Sequence, residues 1–328
     1  MKRRSFLSLI GGAAALPLVA RAQQGERVRR VGLLLPVSVN DGDYPTLVKA
    51  FLQGLEQLGW TEGRNLRIDI RWAGGSMDMN RRYAAELVAL APDVILASGA
   101  SAAGPLLQTT RTIPVVFTIV PDPVGAGFVD SLARPGGNAT GFTSFDYGIG
   151  GKWLELLKEI APRVKRVAVL RDATTTAGVG QWSAIQTVAP TFGMEATPIN
   201  LRDAAELERS LSAFARQANG GLIVTSSGLA ITHRDTIVTL AAKYKLPALY
   251  YSRAFVAAGG LISYGSDRVE QFRRAAGYVD RILKGEKPAE LPVQAPTKYE
   301  LSLNLKTASA LGLAVPQMLV LRADRVIQ

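Results

Sequence analysis

From Arg30 onward the chain alternates two hydrophobic patterns: short runs rich in β-branched residues, and longer segments in which apolar residues recur every three or four positions. That alternation predicts parallel strands joined by crossover helices. Strands are expected over residues 31–35, 66–71, 94–97, 114–120, 167–170, 196–200, 221–225, 248–251 and 261–264. Between them, Ile149, Trp153, Leu156, Leu157 and Ile160 share one face of a helix, as do Val269, Phe272, Ala276, Val279 and Leu283. Each helix has one side to bury and one to hydrate. Three glycine-bearing stretches, residues 135–141, 259–264 and 285–292, are the expected crossings between two lobes, because Gly and Asn relieve the φ restrictions that stiffen a hinge.

Composition permits that architecture. With 328 residues, 48% of them hydrophobic, the chain can bury one large core or two moderate ones. The expected fold class is therefore α/β, two Rossmann-like lobes with parallel sheets joined by three crossings. A mean hydropathy of +0.13 raises the question of a membrane protein. However, no apolar run after residue 22 reaches the roughly 18 to 20 uncharged residues of a spanning helix.

The first 22 residues follow a different grammar. Met1-Lys2-Arg3-Arg4-Ser5-Phe6-Leu7 is a charged head, Ser8 to Val19 carries no charge, and Ala20-Arg21-Ala22 is a small-x-small site, which together read as an export signal cut after Ala22. The Arg3-Arg4 pair and the mildly hydrophobic Gly- and Ala-rich segment resemble a twin-arginine leader. Zero cysteines exclude disulfides, thiolate metal sites, thiol nucleophiles and a lipid-bearing cysteine at the new N-terminus. The mature protein is expected to be free in the periplasm. The formal charge of +11 falls to +7 when Lys2, Arg3, Arg4 and Arg21 leave with the leader. The remaining charges are scattered among acids, so there is no basic stripe for nucleic acid.

Several blocks, in this order, carry a resemblance over nearly the whole chain. They are Phe51-Leu52-Gln53-Gly54-Leu55-Glu56-Gln57-Leu58-Gly59-Trp60 with Glu62-Gly63-Arg64-Asn65, then Ile113-Pro114-Val115-Val116-Phe117 and Asp122-Pro123-Val124-Gly125-Ala126-Gly127. Next come Ser131-Leu132-Ala133-Arg134-Pro135-Gly136-Gly137-Asn138-Ala139-Thr140-Gly141, Leu246-Pro247-Ala248, Ala258-Gly259-Gly260-Leu261-Ile262-Ser263-Tyr264-Gly265 and the tail Asn304-Leu305-Lys306-Thr307-Ala308-Ser309-Ala310-Leu311-Gly312-Leu313. The sequence resembles the ABC transporter substrate-binding proteins that include tryptophan- and tyrosine-binding receptors. The resemblance implies a type I periplasmic binding fold, with lobe one at residues 28–143 plus 264–285 and lobe two at 144–263 plus 286–328. It also implies a receptor that hands a small ligand, often amino-acid-like, to an inner-membrane ABC permease, and a monomer is the expected state.

In open α/β sheets ligands settle outside the carboxyl ends of strands, so the loops after strands are where chemistry is expected. Ser98-Gly99-Ala100-Ser101 opens a helix whose free N–H groups and two hydroxyls suit a carboxylate, with Ser98, Ala100 and Ser101 as contacts, although Ser101 would equally serve as a cap. Asp122, in a stiff turn between prolines, would pair with a ligand ammonium or cap that turn. In the second lobe Arg171 would clamp an acid or form a structural ion pair, with Thr174 and Ser226 as further polar contacts. Tyr44 and Tyr250 could sandwich an apolar or aromatic ligand, and strand alternation lets only one of Tyr250 and Tyr251 face the cleft. Tyr264 is expected at a hinge.

Signs of catalysis are few. His233 is the single histidine, expected in the first turn of a helix, and the triplet His233-Arg234-Asp235 lacks the context of a kinase loop. There is no Walker loop, nucleophile elbow or dinucleotide fingerprint. The expectation is a receptor with no cofactor and no metal, the alternatives being a periplasmic partner of a sensor protein and, further off, an enzyme on the same fold.

Overall fold

The computed structural model describes residues 27–40, 42–145 and 147–328, so the expected leader lies outside the described residues. Among these residues the strands form two sheets. The first is built from β1 (Arg29–Leu35), β2 (Leu66–Trp72), β3 (Val94–Ser98), β4 (Val115–Val120) and β5 (Ala139–Thr143), ordered β2-β1-β3-β4-β5 and parallel throughout. Helices α1 (Tyr44–Gln57), α2 (Met77–Ala89) and α3 (Ala100–Thr109) connect them. Their caps follow side-chain chemistry where it is available: the Ser76 hydroxyl accepts the Met79 N–H at the start of α2.

After α4 (Ile149–Ile160) the second sheet begins with β6 (Arg166–Arg171), followed by α5 (Thr176–Val188), β7 (Glu195–Asn200), α6 (Ala204–Ala215) and β8 (Gly220–Val224). The short helices α7 (Gly228–Thr232) and α8 (Arg234–Lys243) lead to β9 (Ala248–Tyr250), and α9 (Arg253–Ala257) leads to β10 (Ile262–Ser266). His233 is the junction between α7 and α8. The chain then leaves as α10 (Arg268–Leu283) and returns as β11 (Tyr299–Asn304), α11 (Leu305–Ala310), α12 (Gln317–Arg322) and β12 (Arg325–Ile327). The order is β12-β11-β10-β9-β8-β6-β7, parallel except for the β10–β11 pair. The two-lobed α/β fold with parallel sheets is thus the expected one.

The predicted helix faces explain which lobe each helix joins. Ile149, Trp153, Leu156, Leu157 and Ile160 are buried in the second core with Val167 and Ile223. Phe272, Ala276, Val279 and Leu283 of α10 are buried in the first, against Phe51 and Leu55 of α1. The α1–α10 crossing is close because Gly54 has no side chain: a Cβ there would stand 2.8 Å from the Ala276 Cβ. Trp60 adds a bond from its indole N–H to the Asp280 carboxylate at 2.9 Å.

The crossings lie elsewhere than the glycines suggested. Residues 139–143 are β5, and a Cβ on Gly141 (φ 153°) would overlap the Phe117 carbonyl oxygen, so this glycine serves tight strand pairing. Gly259 and Gly260 turn the chain into β10, which places Tyr264 in the second sheet. Residues 286–294 stay on lobe one: Leu291 and Val293 enter its core, and Gln294 pairs with Phe142. The segment that rejoins lobe one therefore spans about 267–294 rather than 264–285, and the crossings fall near residues 144, 266 and 296.

Gln271 joins these crossings. Its side chain is 3% exposed. Its amide nitrogen donates to the Thr143 carbonyl at 3.1 Å and to Ser266 Oγ at 3.0 Å, while its Oε1 accepts the Ile119 N–H at 3.2 Å. Asp267, the N-cap of α10, ties the third crossing to the second by accepting from Lys298 Nζ at 3.0 Å. Replacing Gln271 with Ala strands buried groups on three segments and is expected to cost about 3 kcal/mol. Urea unfolding of Gln271→Ala checks this, and an unchanged midpoint would refute it.

Candidate functional site

The carboxyl ends of β4, β8, β9 and β10 converge where the lobes meet, and the crossings form the floor of a narrow cavity, whose space is about 310 Å³ only when the part open to solvent is included. Its apolar wall is Phe145, Trp153 and Tyr251, with Ile119 and Ile149. Ser144, Ser226 and Ser266 supply hydroxyls, and Arg268 supplies the charge. Trp153 is fixed by donating its indole N–H to the Tyr264 carbonyl at 2.8 Å, and Phe145 meets it edge-on with ring centroids 6.2 Å apart.

Two backbone features shape this space. The β4–β5 register shifts between Phe117 and Val120, and within that shift Ile119 takes φ 56°. A β-branched residue in the left-handed region is strained, and strain of this kind concentrates at ligand sites. Here it turns the chain so that Ile119 lines the cavity. Opposite, a Cβ on Gly265 would overlap the Tyr251 carbonyl oxygen, so only glycine lets β10 pass this close to the end of β9.

Arg268 sits at the first position of α10, where the helix dipole disfavours a cation. Tertiary contacts hold it there. Its guanidinium lies 4.8 Å above the centre of the Tyr44 ring, and Nη1 donates to Asp43 Oδ1 at 2.9 Å. Burial opposes its charge, but Asp43 and the Tyr44 and Tyr251 hydroxyls outweigh burial and raise its proton affinity above the ordinary guanidinium value. Asp43 Oδ2 stands 3.4 Å from Arg253, which bonds in turn to Glu300 at 3.2 Å. The result is a line of alternating charge, Arg268–Asp43–Arg253–Glu300, that runs from lobe one into lobe two past a second, smaller cavity. Burial pushes the Glu300 carboxyl upward despite Arg253.

The rim is also joined. The Tyr147 hydroxyl donates to Asp122 Oδ2 at 3.0 Å, and burial together with that bond pushes the Tyr147 hydroxyl up to about 12. A Cβ on Gly75 of lobe one would lie 3.6 Å from Thr232 Oγ1 of lobe two, so the lobes stand closed on one another.

The residues expected from sequence divide into three groups. Ser226 lines the cavity, and Tyr44 stacks under Arg268 with its hydroxyl 3.4 Å from Ser98 Oγ. Ala100 and Ser101 open α3, where Gly99 is the N-cap and no side chain caps, so Ser101 does not play that part. Asp122 is held in its turn by the Gly125 N–H at 2.8 Å as well as by Tyr147. Arg171 is structural in its contacts, donating to Asn200 Oδ1 at 3.1 Å and lying over the Trp182 ring. Thr174 is exposed and bonds to Asp172 at 2.6 Å. Tyr250 requires correction: it is 1% exposed and stacks on Phe255 at 4.9 Å inside lobe two, because strand alternation turns Tyr251 to the cavity instead.

Asp43, Phe145, Trp153 and Arg268 were not singled out for the site. A signal for Arg268 was present: an arginine opening an amphipathic helix contradicts the dipole rule and implies a tertiary partner. Among the described residues no group of three or more His, Cys, Asp or Glu could hold a metal ion, and no helix is long and apolar enough to cross a membrane.

Comparison with known proteins places this geometry. The family described as ABC transporter substrate binding protein matches residues 31–327. A tyrosine-binding protein of Clostridioides difficile (strain R20291) is 27% identical over 274 residues, which cover 83% of this chain and 79% of that protein. The structure of an ABC domain in complex with L-Trp from Streptococcus pneumonia superposes with a TM-score of 0.84 at 24% identity, covering 91% of this chain and 99% of that one. The ligand-free, open structure of a substrate-binding protein with adhesive properties from Clostridium difficile gives 0.71 at 24% identity, covering 92% and 100%.

Asp43→Asn leaves the buried Arg268 guanidinium without its counter-charge, while Arg253 keeps Glu300, and is expected to destabilise the protein by about 3 kcal/mol, measured by denaturant unfolding. Tyr147→Phe removes the rim bond. The Tyr147 proton is held more tightly in the folded than in the unfolded chain, so the stability it contributes is complete below pH 10 and lost as pH rises toward about 12. Ultraviolet titration of tyrosinate is expected to lose a step near pH 12 in Tyr147→Phe, while the later steps of Tyr250 and Tyr251, which burial pushes higher still, remain.

Proposed function

The chain belongs to the ABC transporter substrate-binding protein family, and from that premise we propose that it is an exported, non-catalytic receptor that captures a small amino-acid-like or aromatic acid ligand and delivers it to an inner-membrane ABC permease. The observation that carries this reading is the closed cavity at the seam, walled by residues from lobe two, from the strained turn of β4 in lobe one and from the crossings themselves. A ligand seated there touches every part that must move when the lobes separate. Differential affinity for the closed arrangement is then sufficient to drive closure.

The aromatic wall and the serine hydroxyls support a ligand with a flat apolar body and a polar end. Further support comes from the relatives, whose descriptions include L-Trp and tyrosine. The Asp43–Arg253 and Tyr147–Asp122 contacts assemble only when the lobes meet, so they give the closed rim a distinct surface that a permease can read. The leader-like first 22 residues and the absence of cysteine are the grounds for a mature protein free in the periplasm.

The test is a thermal-shift screen of the purified protein against amino acids, aromatic acids, sugars and purines, followed by small-angle scattering with any compound that stabilises it. A receptor shows one stabilising chemical class, because a ligand that binds only the folded state raises the melting temperature by mass action. It also compacts on binding and leaves the compound unchanged. Stabilisation without compaction would refute closure, and consumption of the compound would replace the receptor with an enzyme.

A further inference from the structure

We infer that Glu300 keeps the empty receptor from closing, by holding Arg253 back from Asp43. The inference rests on the receptor reading and concerns what sets the balance between open and closed lobes. Arg253 and Glu300 belong to lobe two and Asp43 to lobe one, and none of the three side chains is more than 15% exposed. In the closed structure the Arg253 fork is split. Its Nη1 donates to Glu300 Oε2 at 3.2 Å, whereas its Nη2 stands 3.4 Å from Asp43 Oδ2. Among the described residues that Oδ2 finds no hydrogen-bond partner, although it is buried. The other oxygen of Asp43 is taken by Arg268 at 2.9 Å. The contact that carries this line of charge from one lobe to the other is therefore left short of a bond.

The shared guanidinium satisfies neither acid in full. Burial pushes the Glu300 carboxyl upward in spite of Arg253, and a buried acceptor without a donor, such as Asp43 Oδ2, is a cost to the closed state. When the lobes part, Arg253 keeps Glu300 and water reaches Asp43, so the open state escapes that cost. Coulomb's law acts in the same direction: closing draws Asp43 toward Arg253 but also toward the like charge of Glu300 behind it. Arg253 and Glu300 both line the second cavity, which leaves the guanidinium room to swing. With the Glu300 charge removed, Arg253 can turn its fork to Asp43 and complete the bond between the lobes. In the native chain the ligand's own contacts must supply what this triad withholds, and closure becomes conditional on occupancy.

The experiment is a pulsed electron-spin distance measurement on the ligand-free protein, with labels attached through Val124→Cys in lobe one and Val179→Cys in lobe two. Both positions are exposed, and a chain without cysteine confines the labels to them. The labelled protein with Glu300 intact is expected to be mostly open. Glu300→Gln is expected to raise the closed-to-open ratio about fivefold, the effect of one added hydrogen bond. Glu300→Asp, whose shorter acid draws back from Arg253, shifts it the same way and serves should the first variant fold poorly. The double variant Arg253→Gln/Glu300→Gln is expected to match Arg253→Gln alone, because Glu300 acts through Arg253; a role in packing alone would not produce that match. An unchanged or more open distribution in both Glu300 variants overturns the inference. So does closure by Glu300→Gln that persists without Arg253, or a ligand-free protein already closed with Glu300 in place. Each of these results leaves the receptor reading standing, since the ligand screen with scattering on the unlabelled protein decides that separately.

Discussion

Three backbone segments pass between the lobes along one side of the cavity, and a segment that is neither helix nor sheet interior exposes N–H and C=O groups that must find partners. The Gln271 amide meets that demand for the Thr143 carbonyl and the Ile119 N–H at the distorted turn, and it also holds the Ser266 hydroxyl. Hinge and binding surface are thereby built from the same bonds. Ser144, Ser266 and Arg268 are each within a few residues of a crossing, and all line the cavity. Rotation of one lobe on the other cannot leave the ligand's surroundings unchanged, which is the physical requirement for coupling occupancy to closure.

The ion line beside the cavity is a question of register more than of strength. Desolvation cancels much of what a buried pair gains, so such pairs are weak grounds for stability but good grounds for specifying one arrangement. Arg268–Asp43 lies within lobe one and Arg253–Glu300 within lobe two, and only the 3.4 Å contact between Asp43 and Arg253 spans them. The longest link in the line is therefore the one that has to break when the lobes part.

How far the sequence revealed all this depended on periodicity. Strands such as residues 31–35 and 94–97, and the faces of α4 and α10, were legible because burial on one or both sides leaves a strong apolar pattern. β5 was hidden because Gly141, needed for close pairing with Phe117, made the stretch look like a flexible link. β11 follows a polar approach, and β12 is three residues long. In the site, Ser226 and Tyr44 were within reach of the rule that ligands sit beyond strand ends, whereas Tyr250 and Tyr251 are adjacent and differ only in which face each takes. Asp43 and Arg268 are separated by more than two hundred positions, and no local pattern joins residues that distant.

The placement of α10 also governs how the molecule can be assembled. Lobe one lacks the helix that covers Phe51 and Leu55 until residue 283 exists, and the second sheet lacks β11 until residue 304 exists. Neither lobe is an autonomous folding unit that could finish while the ribosome still holds the rest. Closing such long loops is slow, because their entropy is lost before the contacts that repay it can form. For most of its synthesis the chain thus carries two unfinished cores, and its last quarter completes both almost together.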